Sequence, residues 1–139
     1  MAYKILVDTN ILLDYLLTRE PYFDDANKIV LSCTIGNIKG CIAVNSIPNM
    51  FYILRKDFNP DKRREALINL CMIFEVVGID KTKLLACLDN KSFDDFEDCL
   101  QSECAKEFGA DFIITRNVKD FKLSNIPAIT PGEFLQIIN

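Results

Sequence analysis

Short, continuous runs of apolar residues recur along this chain, each followed by polar residues and then by a segment of helical period. Lys4-Ile5-Leu6-Val7 lacks the alternation of a half-exposed strand, so it reads as a strand buried on both faces of a parallel sheet. It stops at Asp8-Thr9-Asn10, a polar turn leading into the apolar-periodic segment Ile11 to Leu17. Pro21 interrupts, and residues 23–35 read as a second helix ending near Gly36. Cys41-Ile42-Ala43-Val44 is the next buried strand. Asn45-Ser46 are N-cap candidates for a helix to about Lys56, with Pro48 tolerated in its first turn. Asn59-Pro60-Asp61 opens a helix to about Phe74, and Glu75 to Ile79 reads as the third strand.

The alternation continues to the end. Residues 81–89 read as helical, Ser92 is expected to cap a helix running to Phe108, and Gly109 turns the chain into the strand Phe112-Ile113-Ile114-Thr115. Pro127-Ala128-Ile129 is a short last strand. Thr130-Pro131-Gly132-Glu133 joins a capping box to a proline at the first helical position, which predicts a closing helix over residues 131–138. Strands alternating with helices imply an α/β fold of three layers, α/β/α, around a central parallel sheet. With no linker, repeat or low-complexity stretch, residues 1–139 read as a single domain, and a chain that is 50% hydrophobic can fill its core.

Composition removes most familiar chemistries. The chain contains no histidine, which excludes Ser-His-Asp and Cys-His nucleophile systems and nearly every catalytic zinc site. Its five glycines match neither the P-loop nor the dinucleotide-binding spacing. A hydrolase built from these residues must rely on carboxylates and a hard, oxygen-preferring cation. The net charge of −4 suits such a pocket, because the cation supplies the positive charge that a phosphate meets. Six cysteines sit singly in apolar segments and are expected to be reduced core residues. No apolar run approaches the roughly 20 residues of a membrane span. The first residues do not resemble a signal peptide, so a soluble, cytoplasmic protein is expected, and the Asn90-Lys91-Ser92 glycosylation pattern carries no meaning there.

Three polar clusters map to the carboxyl edge of the expected sheet or to adjoining helix starts, where parallel sheets bind ligands. Asp8 follows the first strand directly, as a metal ligand or as a helix cap. Ser92-Phe93-Asp94-Asp95-Phe96-Glu97-Asp98 gathers four acids. One or two would complement a helix dipole; four repel one another, and a spacing of three or four puts Asp94 or Asp95 beside Asp98. Thr115-Arg116-Asn117 and Asp120-Phe121 repeat the strand-tip pattern. Arg116 and Lys119 stand where they would meet phosphates. Arg55, Lys56, Lys62, Arg63 and Arg64 read as solvated helix faces, and Phe51 and Tyr52 as core.

The ordered set of Asp8-Thr9-Asn10, Asp95-Phe96-Glu97-Asp98, Thr115-Arg116-Asn117-Val118-Lys119-Asp120-Phe121 and the terminal Thr130-Pro131-Gly132-Glu133-Phe134 resembles the PIN domain over essentially the whole chain. The resemblance implies a PIN-like fold and a Mg²⁺- or Mn²⁺-dependent endoribonuclease. Such a protein is often the toxin of a VapC-like toxin–antitoxin pair, typically a homodimer held inactive by a small antitoxin. By position, Asp8 and Asp98 correspond to metal-binding acids. Asp95, Glu97 and Asp120 are further candidate catalytic acids, with Asn10, Asn49, Thr115 and Asn117 as supporting polar groups. The commonest family pattern has glutamate where this chain has Asn49 and aspartate where it has Asn117. An asparagine carbonyl can ligate Mg²⁺ but cannot act as a base. Two rivals are a degenerate PIN fold that binds RNA or protein without cleaving, and a signalling receiver domain with Asp80 as its phosphoacceptor.

Overall fold

The computed structural model describes residues 2–139. Its central strand is β1 (Lys4–Val7), whose Ile5, Leu6 and Val7 are completely buried. Successive side chains of a strand point to opposite faces. Ile5 and Val7 accordingly join one core cluster and Leu6 the other. After β1 the chain forms α1 (Thr9–Leu16), α2 (Phe23–Thr34), β2 (Lys39–Ala43), α3 (Ser46–Ile53) with a 3-10 turn at Leu54–Lys56, and α4 (Pro60–Ile73). It continues through β3 (Glu75–Val77), α5 (Lys81–Asp89), α6 (Phe96–Phe108), β4 (Phe112–Ile114), a 3-10 turn at Val118–Phe121, β5 (Ala128–Ile129) and α7 (Pro131–Ile138).

The strands lie in the order β3-β2-β1-β4-β5, every neighbouring pair parallel. Helices α1 to α4 and α7 cover the face bearing Ile5, Val7, Ile42 and Ile114, and α6 covers the face bearing Leu6, Cys41, Ala43 and Ile113. The expected three layers are therefore present. The order excludes the receiver reading, since that fold runs 2-1-3-4-5. It also puts the topological switch between β1 and β4, so a ligand crevice should open beyond their carboxyl ends. The register Val7↔Ile114 brings Asp8 beside Thr115 at that edge.

Local chemistry accounts for the element ends. Thr130 and Glu133 complete the capping box of α7 in both directions, and Gly109 ends α6 in the left-handed conformation at φ 74°. Several expectations need correction. Ser92 caps nothing: its N–H is donated to Asn90 Oδ1 in a side-chain turn, and α6 starts later, with Asp95 as N-cap accepting from the Asp98 N–H at 3.0 Å. Asn45 stands at the N-cap of α3 without a side-chain cap bond, its Oδ1 buried and unpartnered, and the Ser46 hydroxyl is engaged with Thr9 Oγ1 at 2.7 Å. Cys71 is exposed, not core. The other cysteines are buried and free, and burial pushes the Cys33 and Cys104 thiols up to about 12 and about 11. Tyr52 is also exposed, with the Arg55 guanidinium 3.7 Å above its ring. Arg63, expected in solvent, folds over the Phe51 ring and donates to the Phe51 carbonyl. Among the described residues, no helix is long and apolar enough to cross a membrane.

Gly40 in β2 shows how closely the α4 side is packed. A Cβ at this position would stand 2.7 Å from the Phe74 ring and 2.9 Å from Cys33 Sγ. Gly40→Ala should lower unfolding free energy in urea by about 1–3 kcal/mol through overpacking. An unchanged urea midpoint would contradict this packing.

Candidate functional site

Asp8 is the residue at which the ladder between β1 and β4 ends. Its N–H is donated to the Ile114 carbonyl at 3.0 Å, which continues the β1–β4 pairing past Val7. Its side chain is only 5% exposed, yet both carboxylate oxygens have donors. Gln101 Nε2, from α6, reaches Oδ1 at 2.9 Å, and the Thr115 hydroxyl, from the tip of β4, reaches Oδ2 at 2.8 Å. Thr115 in turn accepts from the Asn117 N–H at 3.0 Å, so the loop after β4 is tied to the same carboxylate. Two donors leave lone pairs on each oxygen unused.

The acids of α6 arrive opposite. A cleft of about 260 Å³ is walled by Asp8, Thr9 and Asn10 on one side and Asp95, Glu97, Asp98 and Gln101 on the other, with Asn49, Asn117 and Asp120 also lining it. The pKa of Asp98 is pushed up to about 7, first by burial and then by the charges of Asp95, Asp8, Asp120 and Glu97. Glu97 is restrained by Asn49, whose Nδ2 donates to Oε2 at 3.2 Å. Thus Asp8 and Asp98, far apart in sequence, share one cleft, and Asp95, Glu97 and Asp120 join them.

The donor set fits a hard divalent cation. Every polar side chain in the lining offers oxygen, none of the described lining residues is cationic, and the repulsion on Asp98 is of the sign a bound cation would relieve. Gln101 Oε1 is buried with no hydrogen-bond partner, a further oxygen in the wall left unsatisfied. Among the described residues no three acids converge into a ready-made cage. That arrangement suits Mg²⁺, which keeps several waters and typically takes one or two protein carboxylates.

Two expected phosphate contacts separate here. Lys119 is exposed and lines a cavity that also includes Asp98 and Asp120. Arg116 is outside the acidic cleft: its Nε and Nη2 are donated to Asp14 at 2.8 and 3.2 Å, and its guanidinium lies 4.0 Å over the Tyr22 ring. Asp14 was not anticipated. It is completely buried on α1, with Arg19 as a second cation at 3.6 Å; its signal in the sequence is an acid inside the apolar segment Ile11 to Leu17. Gln101 was also missed, although its spacing of three from Asp98 puts both on one side of α6.

A family profile described as PIN domain matches residues 4–119. Among solved structures, a toxin–antitoxin complex from Klebsiella pneumoniae superposes with a TM-score of 0.67 at 23% identity, covering 91% of this chain and 97% of that one. VapBC-1 of nontypeable Haemophilus influenzae gives 0.68 at 17% identity, covering 93% and 98%. VapBC2 of Rickettsia felis, solved bound to a fragment of promoter DNA, gives 0.65 at 18%, covering 91% and 98%. At such identities the likeness is one of fold. No curated protein matches the sequence.

The raised Asp98 carboxyl fixes the sign of a pH effect. Without metal, folding takes up a proton at Asp98 between the ordinary value of 3.8 and about 7, so this group's contribution to stability is largest below the window and is lost as pH rises through it. Thermal melts in chelating buffer should show this decline, and Asp98→Asn should flatten it. An equal slope in the variant would contradict the electrostatic coupling.

Proposed function

The chain belongs to the PIN-domain family, and on that premise we propose that it is a Mg²⁺- or Mn²⁺-dependent endoribonuclease, acting in the cytoplasm as the toxin of a type II toxin–antitoxin pair. The observation that carries the reading is the crowding of Asp98 by Asp95, Asp8, Asp120 and Glu97 in an all-oxygen cleft at the switch point of the sheet. Crowding of this kind lowers stability and has a function once a cation is present.

In this reading Asp8 and Asp98 hold the ion. Gln101 and Thr115 orient Asp8 as outer partners that fix a ligand in place. The chemistry such an ion supplies is a lowered pKa for water and stabilisation of charge on the phosphate. Asp95, Glu97 and Asp120 contribute further negative charge, and one of them not engaged with the ion accepts the proton of the attacking water. Asn49 and Asn117, which stand where acids are commoner in the family, reduce the total charge, and Asn49 holds Glu97 by a hydrogen bond instead of repelling it. Lys119, exposed on the adjoining cavity that shares Asp95, Asp98 and Asp120 with the cleft, meets the phosphate backbone there.

The partner proposals draw on two observations. Solved relatives of similar fold are described as toxin–antitoxin complexes. On this chain, an apolar groove of about 660 Å³ between α3 and α4, with Tyr52, Ile68 and Met72 exposed, offers a surface for a protein partner or for a second copy.

The direct test is cleavage of single-stranded RNA. Cleavage is expected with Mn²⁺ or Mg²⁺, to be abolished by EDTA, and to fall at least about 100-fold in Asp8→Asn and in Asp98→Asn. Activity that survives either substitution would reject the site. The two asparagines favour a second reading, a binder that does not cleave. In that case Mn²⁺ would give little thermal stabilisation and no RNA would be cut.

A further inference from the structure

A second cavity, of about 460 Å³, adjoins the acidic cleft and has a different character. Asn117 lines both, so a strand threaded through the cleft puts a neighbouring nucleotide at this cavity. Its walls include Tyr22 and Asp25 from the start of α2, Arg116 from the loop after β4, and Gly132 from the first turn of α7. The volume lies within the roughly 300–1,000 Å³ of small-ligand pockets.

We propose that this cavity is a base-binding subsite that takes a guanine next to the scissile bond; the proposal rests on the ribonuclease reading and assigns part of its sequence preference. Charge decides first between base and phosphate. Arg116 is already paired with the buried Asp14 through two hydrogen bonds, and Asp25 enters no ion pair among the described residues. With Arg116 and Arg19 both engaged by Asp14, Asp25 is the charged group of this wall without an ion-pair partner among the described residues, and its carboxylate repels a phosphate but accepts from the hydrogen-bond donors of a neutral base.

Geometry supplies the platform. Asp14 fixes the plane of the Arg116 guanidinium, and the Tyr22 ring packs 4.0 Å from it, with Tyr22 itself 43% exposed. Unstacked RNA bases are bound on such aromatic and guanidinium planes. Asp25 then selects among bases. A carboxylate is an acceptor only and can take two parallel donors. Guanine is the base that carries two adjacent donors, N1–H and N2–H, on its pairing edge; adenine presents one there beside an acceptor. Gly132 lies beside this carboxylate, a Cβ there standing 3.4 Å from Asp25 Oδ2, in ordinary contact.

Two measurements test the subsite. Fluorescence anisotropy in Ca²⁺ compares short single-stranded RNAs that differ by one guanine replaced with adenine. The wild type should bind the guanine RNA about 5–50-fold more tightly, within the discrimination of one bidentate contact. Asp25→Asn should equalise the two, and Tyr22→Ala should weaken both by about tenfold or more through lost stacking. In parallel, cut sites are mapped on a random-sequence RNA pool with Mn²⁺, and guanine should be enriched at one fixed position beside the cut. Equal affinities of the wild type for the two RNAs, or cuts with no fixed guanine, would overturn the subsite while leaving the nuclease intact. A guanine preference in binding without any cleavage would support the subsite and remove the nuclease reading instead. The comparison of the two RNAs uses the unaltered protein and so does not depend on either variant folding.

Discussion

The carboxylate of Asp8 is the point at which three elements of this fold are joined. It follows the central strand, its backbone extends the pairing with β4, and its two oxygens accept from α6 and from the tip of β4. A buried charge is tolerable only when hydrogen-bonded, so Gln101 and Thr115 are needed to keep it there as well as to aim it. The parallel sheet explains why these groups meet at all. With every strand running the same way, the ends of β1 and β4 lie side by side, and the change of winding direction between them opens the crevice into which α6 projects its acids.

The site works against the stability of the fold around it. Asp95 is a sound N-cap for α6, and Glu97 and Asp98 complement its dipole, but Asp98 is also forced towards Asp8 and Asp120. The same residues therefore serve the helix start and oppose one another across the cleft. Asn49 eases this opposition by donating to Glu97. A second buried carboxylate, Asp14, is handled differently: Arg116 and Arg19 neutralise it, and that contact ties α1 to the loop that carries Asn117. One acid is thus fully paired for structure, and the other is left able to bind a ligand.

Much of this was legible in the residues. Apolar runs without alternation identified the buried strands. Asn59 and Thr130, capping residues each followed by proline, located the starts of α4 and α7 closely, because these signals are local. The start of α6 is ambiguous in the sequence because Ser92 and Asp95 are both plausible caps, and the choice between them depends on Asn90 turning the chain first. Gln101, Asp14 and the true setting of Arg116 were hidden for another reason. Their hydrogen-bonded side-chain partners, Asp8 for Gln101 and Arg116 for Asp14, are remote in sequence, and only the packing of α1 and α6 against the sheet edge brings them together. The ordered acids made the shared cleft foreseeable, whereas the groups that orient Asp8 were not.

The central claim is that Asp8 and Asp98 bind one cation between them. Crystals grown with Mn²⁺ and measured at the manganese absorption edge test it most directly. An anomalous peak within coordinating distance of both side chains is predicted, with loss of that peak in Asp98→Asn. Manganese found elsewhere on the molecule, or a cleft that stays empty at saturating metal, would contradict the account.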